Sequence, residues 1–249
     1  MQVPSIPSRG AFLTAQWRYL LMLNYEIAPQ ILRPFVPAGV GLDLFEGRAL
    51  VSVVGFRFLR TRLLRVSIPF HRDFDEVNLR FYVRREMPEG EVRRGVAFIR
   101  ELVPRAAIAL VARIAYNEPY LAVPMHSMAP AGMSESPGRV EYHWTSPAGP
   151  QHVAATAVGA PSVPPPDSEA AFITEHYWGY TRQRDGGTVE YQVSHPAWRV
   201  WSVEATESFI DVVNLYGAVF EPALREKPIS AFLAEGSAVT VHRPRRIAL

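Results

Sequence analysis

The chain has 249 residues, 48% of them hydrophobic and 20% charged, with a formal net charge of +2. This length and composition suit a single domain spanning 1–249, ordered from about residue 12 to about residue 245, and they exclude a disordered chain. There is no cysteine, which excludes disulfides, thiolate metal sites, iron–sulfur clusters and a cysteine nucleophile.

Met1 to Gly10 lacks an apolar signal core. No apolar run approaches the roughly 20 residues that span a bilayer as a helix. A cytoplasmic location with no membrane partner is therefore expected. Arginine supplies all the basic residues except Lys227, and clusters at Arg57, Arg60, Arg62 and Arg65 and again at His242, Arg243, Arg245 and Arg246. No nucleic-acid motif accompanies these clusters, so solvated strand and tail charges are expected rather than a nucleic-acid partner.

The first element, Trp17 to Ile27, is dense in aromatic and aliphatic residues and reads as a strand. Ala28 to Phe35 reads as a short helix closed by Pro37. Leu42 to Phe45 lead into Glu46-Gly47, and Ala49 to Phe58 lead out, which is a hairpin signal. Glu76 to Arg85 alternates strictly. Met87-Pro88-Glu89-Gly90 turns the chain and Arg93 to Leu102 returns as the partner strand. Pro104 to Tyr116 is alanine-rich with proline at its start, and predicts a helix ended by Asn117-Glu118-Pro119.

Arg139 to Thr145 and Gln151 to Val158 predict a second hairpin, and the proline-rich connector Pro161 to Pro166 follows. Asp167 or Ser168 caps a helix through Glu175. Tyr177 to Arg184, the Gly186-Gly187 turn and Thr188 to His195 make a third hairpin. Phe209 to Tyr216 reads as a short helix, and Ile229 to His242 as strand-like segments. Strands joined by short turns predict an α+β, strand-rich fold with largely antiparallel sheet and a few short helices.

On the alternating strand, Val77, Leu79, Phe81 and Val83 point one way and Glu76, Asn78, Arg80 and Tyr82 the other. One face thus presents a carboxylate, an amide, a guanidinium and a phenol in a row. Facing a pocket, that row could bind and polarise an acid or carbonyl ligand. Facing solvent, it would make cross-strand ion pairs to residues such as Arg94 or Glu101.

The seven histidines form no His-x-His or His-x-x-x-His pair. His143 and His152 could meet across their hairpin, but no third ligand is evident, so no metal and no cofactor are expected. His71-Arg72-Asp73 and Ser194-His195 lack the glycine elbow of a serine hydrolase. His195-Pro196-Ala197-Trp198 reads as a strand end that packs its tryptophan. No phosphate-binding glycine pattern is present.

Several motifs in order resemble the YqjF-like family of uncharacterised proteins. They are Gln16-Trp17-Arg18, Leu32 to Pro37, Phe45-Glu46-Gly47, Glu76 to Val83, Ala112-Arg113, Pro119-Tyr120, Phe172 to Tyr177, and His195 to Trp198. The row Asn78-x-Arg80-x-Tyr82-Val83 is the most specific of them. That family is similar to the acetoacetate decarboxylase superfamily, and the resemblance implies a large antiparallel sheet closed into a barrel or cone with the site inside. The decarboxylases use a lysine Schiff base. The best match to that lysine here is Arg105 in Val103-Pro104-Arg105-Ala106, and a guanidinium cannot form the adduct. Lys227, beside a proline in a polar stretch, is expected to be a solvated loop residue.

The resemblance and the polar row together nominate Glu76 as a catalytic acid–base group. They nominate Asn78, Arg80, Tyr82, Arg105, Arg113 and Tyr120 as substrate-binding residues, although Arg105 could instead form a structural salt bridge and Arg113 a helix-end charge. The leading expectation is a module that binds a small acidic or carbonyl-bearing molecule. The second is a non-Schiff-base enzyme of decarboxylase, isomerase or hydratase type acting on a keto acid. The third is a protein- or nucleic-acid-binding surface. A homo-oligomer is left open.

Overall fold

Strand β1 (Ala11–Ile27) organises the molecule because it is long enough to serve two sheets. In the computed structural model, which describes residues 10–68, 71–104, 117–130 and 134–247, its first half pairs with β14 (Ala238–His242) and its second half with β13 (Ser230–Ala234). Along its whole length it also pairs with β3 (Ala49–Leu63). The ladder shifts register between Arg18 and Leu21, where Tyr19 takes a positive φ of 54°. A bulge of this kind bends a strand and lets it pass from one sheet into another.

Beyond β3 the sheet continues through β4 (Phe74–Glu86), β5 (Val92–Val103), β10 (Trp178–Arg182) and β11 (Thr188–Ser194) to β14, which returns to β1. These seven strands close a barrel. The sheet leaves the barrel at β13 and runs on through β12 (Val200–Phe209), β9 (Gly149–Ser162), β8 (Arg139–Ser146) and β7 (Met125–Met128). All these pairings are antiparallel except β5 with β10; the short β6 (Tyr120–Ala122) also runs parallel to β5.

The expected hairpins at β4–β5, β8–β9 and β10–β11 are all present. Ser168 caps the short helix Glu169–Thr174, its side chain accepting from the Ala171 amide. The helix expected over Ala28 to Phe35 is a helical turn, Pro29–Leu32, running into a 3-10 turn, Arg33–Phe35. The first expected hairpin is different. Phe45 and Arg48 do close a tight turn, but β2 (Gly41–Leu42) pairs with β4 rather than β3. Barrel closure gives β3 better partners on both sides. Phe209 ends strand β12 instead of starting a helix, and the helix is only Val212–Tyr216, capped by Asp211. β12 itself was not anticipated, because mixed residues such as Ser202, Glu204, Thr206 and Glu207 hide its alternation. The helix expected over Pro104 to Tyr116 lies outside the described residues.

Two apolar clusters follow from the two sheets. Val77, Leu79, Phe81 and Val83 pack with Tyr142, Trp144 and Val153 between the barrel wall and the second sheet. Leu20, Met22, Phe56, Phe58, Tyr82 and Val193 pack together on the barrel's inner face. Close contact of the layers depends on Gly55: a Cβ there would meet the Tyr142 ring at 2.5 Å, and the Tyr142 hydroxyl donates to the Tyr19 carbonyl at 2.6 Å. Among the described residues, no helix is long and apolar enough to cross a membrane.

Candidate functional site

Because β4 alternates, its even-numbered side chains turn into the barrel. Glu76, Asn78 and Arg80 there line a cavity of about 210 Å³, with Trp17, Phe56, Phe58, Phe74 and Trp198 among its apolar walls. An apolar cavity of about 150 Å³ holds benzene, so this one has room for a small organic molecule. Both faces of β4 are buried: Glu76 is 2% and Asn78 1% exposed on one, Val77 and Leu79 0% on the other.

At one end of the cavity three carboxyl groups meet. Glu101 on β5 lies directly opposite Asn78, and the parallel pairing of β6 with β5 sets Tyr120 beside Glu101. Glu118, two residues earlier, comes with it. The Asn78 amide donates to Glu76 Oε1 at 3.0 Å, and the Tyr120 hydroxyl donates to Glu76 Oε2 at 3.3 Å. Thr181 donates to Glu118 Oε1 at 3.2 Å, and the Tyr191 hydroxyl donates to the same oxygen. Glu101 Oε2 and Asn78 Oδ1 are buried without a hydrogen-bond partner.

Burial disfavours charge here, and the carboxylates repel one another. Burial pushes Glu76 up to about 8, against the pull of the Asn78 amide and with the help of Glu118. Burial likewise lifts Glu118 to about 7, opposed by Tyr191 and Thr181. Glu101 is raised well above its ordinary value by burial and then by its two acidic neighbours. The Tyr120 phenol is raised by burial and by the same carboxylates. The cluster therefore holds protons near neutral pH.

Arg80 lies further along β4, where Phe98 rather than an acid stands opposite it. It is 9% exposed, and among the described residues its Nε has no hydrogen-bond partner and its only hydrogen-bonding neighbour is the Met22 sulfur at 3.9 Å. Its guanidinium sits over the Tyr82 ring, 5.8 Å from the centroid. No described carboxylate lies within ion-pair reach. The nearby imidazoles add no second positive charge beside it, for burial lowers both His176 and His195 to about 4 and keeps them neutral. His176 Nε2 is 3.1 Å from Asp43, which also holds Arg94 Nε at 2.7 Å. His195 stacks on Trp198 at 4.1 Å between centroids.

Of the residues nominated from sequence, the structure brings Glu76, Asn78, Arg80 and Tyr120 to this cavity. Tyr82 shares their face but does not line the cavity. Its hydroxyl is 2.5 Å from Ser52 Oγ, within a buried chain that continues to Asn24 and Ser230. Arg105 and Arg113 lie outside the described residues. Arg94 pairs with Asp43, not with the polar row, whereas Glu101 joins the row inside the cavity. Glu118, Thr181 and Tyr191 had no local signal, being single polar residues on separate elements, whereas His176 lies within the Phe172 to Tyr177 motif without being singled out there.

The other sequence features take structural places. His143 and His152 do face each other with rings 5.5 Å apart, and His126 stacks on His143 at 4.9 Å. No group of His, Asp or Glu suited to a metal ion occurs among the described residues. Several of the clustered basic residues are engaged within the fold: Arg57 with Asp75, Arg245 with Glu190 and Arg246 with Asp185. Lys227 is exposed and outside the cavity.

Solved structures with the same fold are acetoacetate decarboxylase-like. The acetoacetate decarboxylase of Legionella pneumophila matches with a TM-score of 0.65 at 14% identity, covering 100% of this chain and 92% of that one. The enduracididine biosynthesis enzyme MppR complexed with pyruvate matches at 0.66 and 14%, with the same 100% and 92% coverage. An acetoacetate decarboxylase-like enzyme from Sphingomonas wittichii RW1 matches at 0.62 and 13%, covering 96% and 94%. In sequence, the uncharacterised protein YqjF of Bacillus subtilis (strain 168) is 28% identical over 215 residues, 86% of this chain and 85% of YqjF. The family model DUF2071, described as an uncharacterised conserved protein, matches residues 14–238, and the chain belongs to that family.

Proposed function

We propose that the chain is a single domain whose barrel cavity binds a small molecule carrying a carboxylate or a polarised carbonyl, held by Arg80. One observation carries this reading: Arg80 is buried in the cavity with an unpartnered Nε and no described carboxylate beside it. An uncompensated buried charge costs several kcal/mol, on the order of what breaking a buried ion pair costs. A ligand oxygen would supply the missing acceptor and turn that cost into affinity. The barrel fold shared with a protein crystallised with pyruvate makes short keto acids the first probes. A cytoplasmic location and the absence of membrane or nucleic-acid partners belong to the same reading, supported by the lack of cysteine and by the internal pairing of the basic clusters.

Glu76 favours acid–base catalysis as a second reading. A carboxyl held near 8 at the wall of a cavity can donate or accept a proton at neutral pH. Schiff-base chemistry finds no support, because the single lysine of the chain is exposed elsewhere.

Calorimetry and turnover assays with pyruvate and with β-keto acids test both readings. Arg80→Met should weaken binding by about 10- to 100-fold, the worth of a hydrogen bond to a charged group. Glu76→Gln should keep binding and abolish any turnover. Equal affinity in wild type and Arg80→Met would overturn the binding role, and unchanged turnover in Glu76→Gln would remove the catalytic one.

A further inference from the structure

The two ends of the cavity lack opposite things. At the carboxyl end three buried glutamates, beyond the protons they hold themselves, share few donors from other side chains. The Asn78 amide and the Tyr120 hydroxyl serve Glu76, while Thr181 and Tyr191 both serve one oxygen of Glu118. The Tyr120 hydroxyl has a single proton and also neighbours Glu101. Two oxygens are left without a partner there, Glu101 Oε2 and Asn78 Oδ1, on residues 2% and 1% exposed that pair across the β4–β5 ladder and line the cavity; Trp17 Nε1, Thr61 Oγ1 and His176 Nδ1 are unpartnered elsewhere in its lining. At the other end Arg80 has an unused donor, lies over the Tyr82 ring, and among the described residues is hydrogen-bonded to the Met22 sulfur alone. Buried polar atoms are normally paired, so unpaired ones of opposite kind at two ends of one cavity describe a ligand.

We infer that the cavity takes a zwitterion, with its carboxylate on Arg80, its ammonium between Glu101 Oε2 and Asn78 Oδ1, and a short apolar spacer along the aromatic wall. This rests on the reading of Arg80 given above and adds the second pole. An ammonium suits the carboxyl end because it carries three donors and a positive charge, and it favours the ionised form of the crowded glutamates. A bare acid would bring no charge to the carboxyl end; a bare amine would bring none to Arg80. The two poles are served by different residues of the lining, so the ligand's charges must stand apart rather than on one carbon. That favours ω-amino acids of five or six carbons over α-amino acids. Trp17, Phe56, Phe58 and Phe74 supply an apolar lining for the methylenes.

Calorimetry with 6-aminohexanoate and 5-aminovalerate, against hexanoate and hexylamine, tests this. At least one zwitterion should bind tenfold or more tightly than hexanoate or hexylamine. Glu101→Gln, nearly isosteric, should bring that preference over hexanoate close to parity, and Asn78→Ala should do the same should Glu101→Gln fail to fold. Hexanoate binding as tightly as the zwitterions, with Arg80→Met weakening both, would overturn the second pole and leave the reading of Arg80 intact. Hexylamine binding as tightly as the zwitterions, insensitive to Arg80→Met, would overturn the reading of Arg80 and the inference with it. No detectable binding of either zwitterion also overturns the inference.

Discussion

Glu76 and Glu118 link the site to stability. Each holds its proton more tightly in the folded chain than in the unfolded one, whose ordinary value is 4.5. Their contribution to stability is complete below that value and is lost as pH rises through about 7 for Glu118 and about 8 for Glu76. His176 and His195 act in the opposite sense. Their folded values of about 4 lie below 6.5, so their contribution is present above 6.5 and lost as pH falls toward 4. Near pH 6.5 the unfolded histidines are half protonated and offset part of the glutamates' slope; by about pH 7.5 they are neutral in both states and, of these groups, only the glutamates impose one. The ligand-free protein should therefore melt at progressively lower temperature from pH 6.5 to 8, and Glu118→Gln should flatten that decline. A wild-type melting temperature that rises across this interval would refute the protonated cluster. Alternation made Glu76, Asn78 and Arg80 legible in the sequence as one face. It could not show that Tyr82, next in the row, spends its hydroxyl on Ser52, since Ser52 reaches it only through the β3–β4 ladder.

Among the elements, the β10–β11 hairpin shows how backbone spacing serves the site. Gly179 lies directly opposite Tyr191, and a Cβ built on it would overlap the Tyr191 phenol. The absence of a side chain at 179 is what lets that ring lie over β10 and its hydroxyl reach Glu118. Gly179→Ala should displace the ring and cost about 1–3 kcal/mol, as overpacking does. It should also raise the Glu118 titration, because the Tyr191 hydrogen bond holds it down. Denaturant melts combined with carboxyl titration by NMR check both effects, and unchanged values in both would show that the ring has room to yield. The sequence marks this hairpin clearly through Gly186-Gly187. The role of Gly179 is not visible there, because an isolated glycine in a strand announces a close approach without naming what approaches.

For the molecule as a whole, closing the barrel brings distant charges together. Glu190 on β11 is fully buried and meets Arg85 of β4 at 2.9 Å, Arg93 of β5 at 3.0 Å, and Arg245 of β15 (Arg245–Arg246). Removing its carboxylate leaves three guanidiniums around an empty place. Glu190→Ala should cost about 3–5 kcal/mol, the range for breaking a buried ion pair. A loss below about 1 kcal/mol in denaturant melts would be the value of a surface pair and would show that the cluster does not brace the barrel. The sequence by itself determined the strand-rich class, the principal hairpins, the polar row on β4 and the family resemblance. Each is a local signal: a period of two, a turn residue, or a short motif. Only the tertiary structure decided that both faces of β4 are buried and that Glu101, Glu118, Tyr191 and His176 belong with the row. Period two separates two faces but does not say which one water reaches. Closure of the β1–β14 ladder decides that, by wrapping the polar face around a cavity.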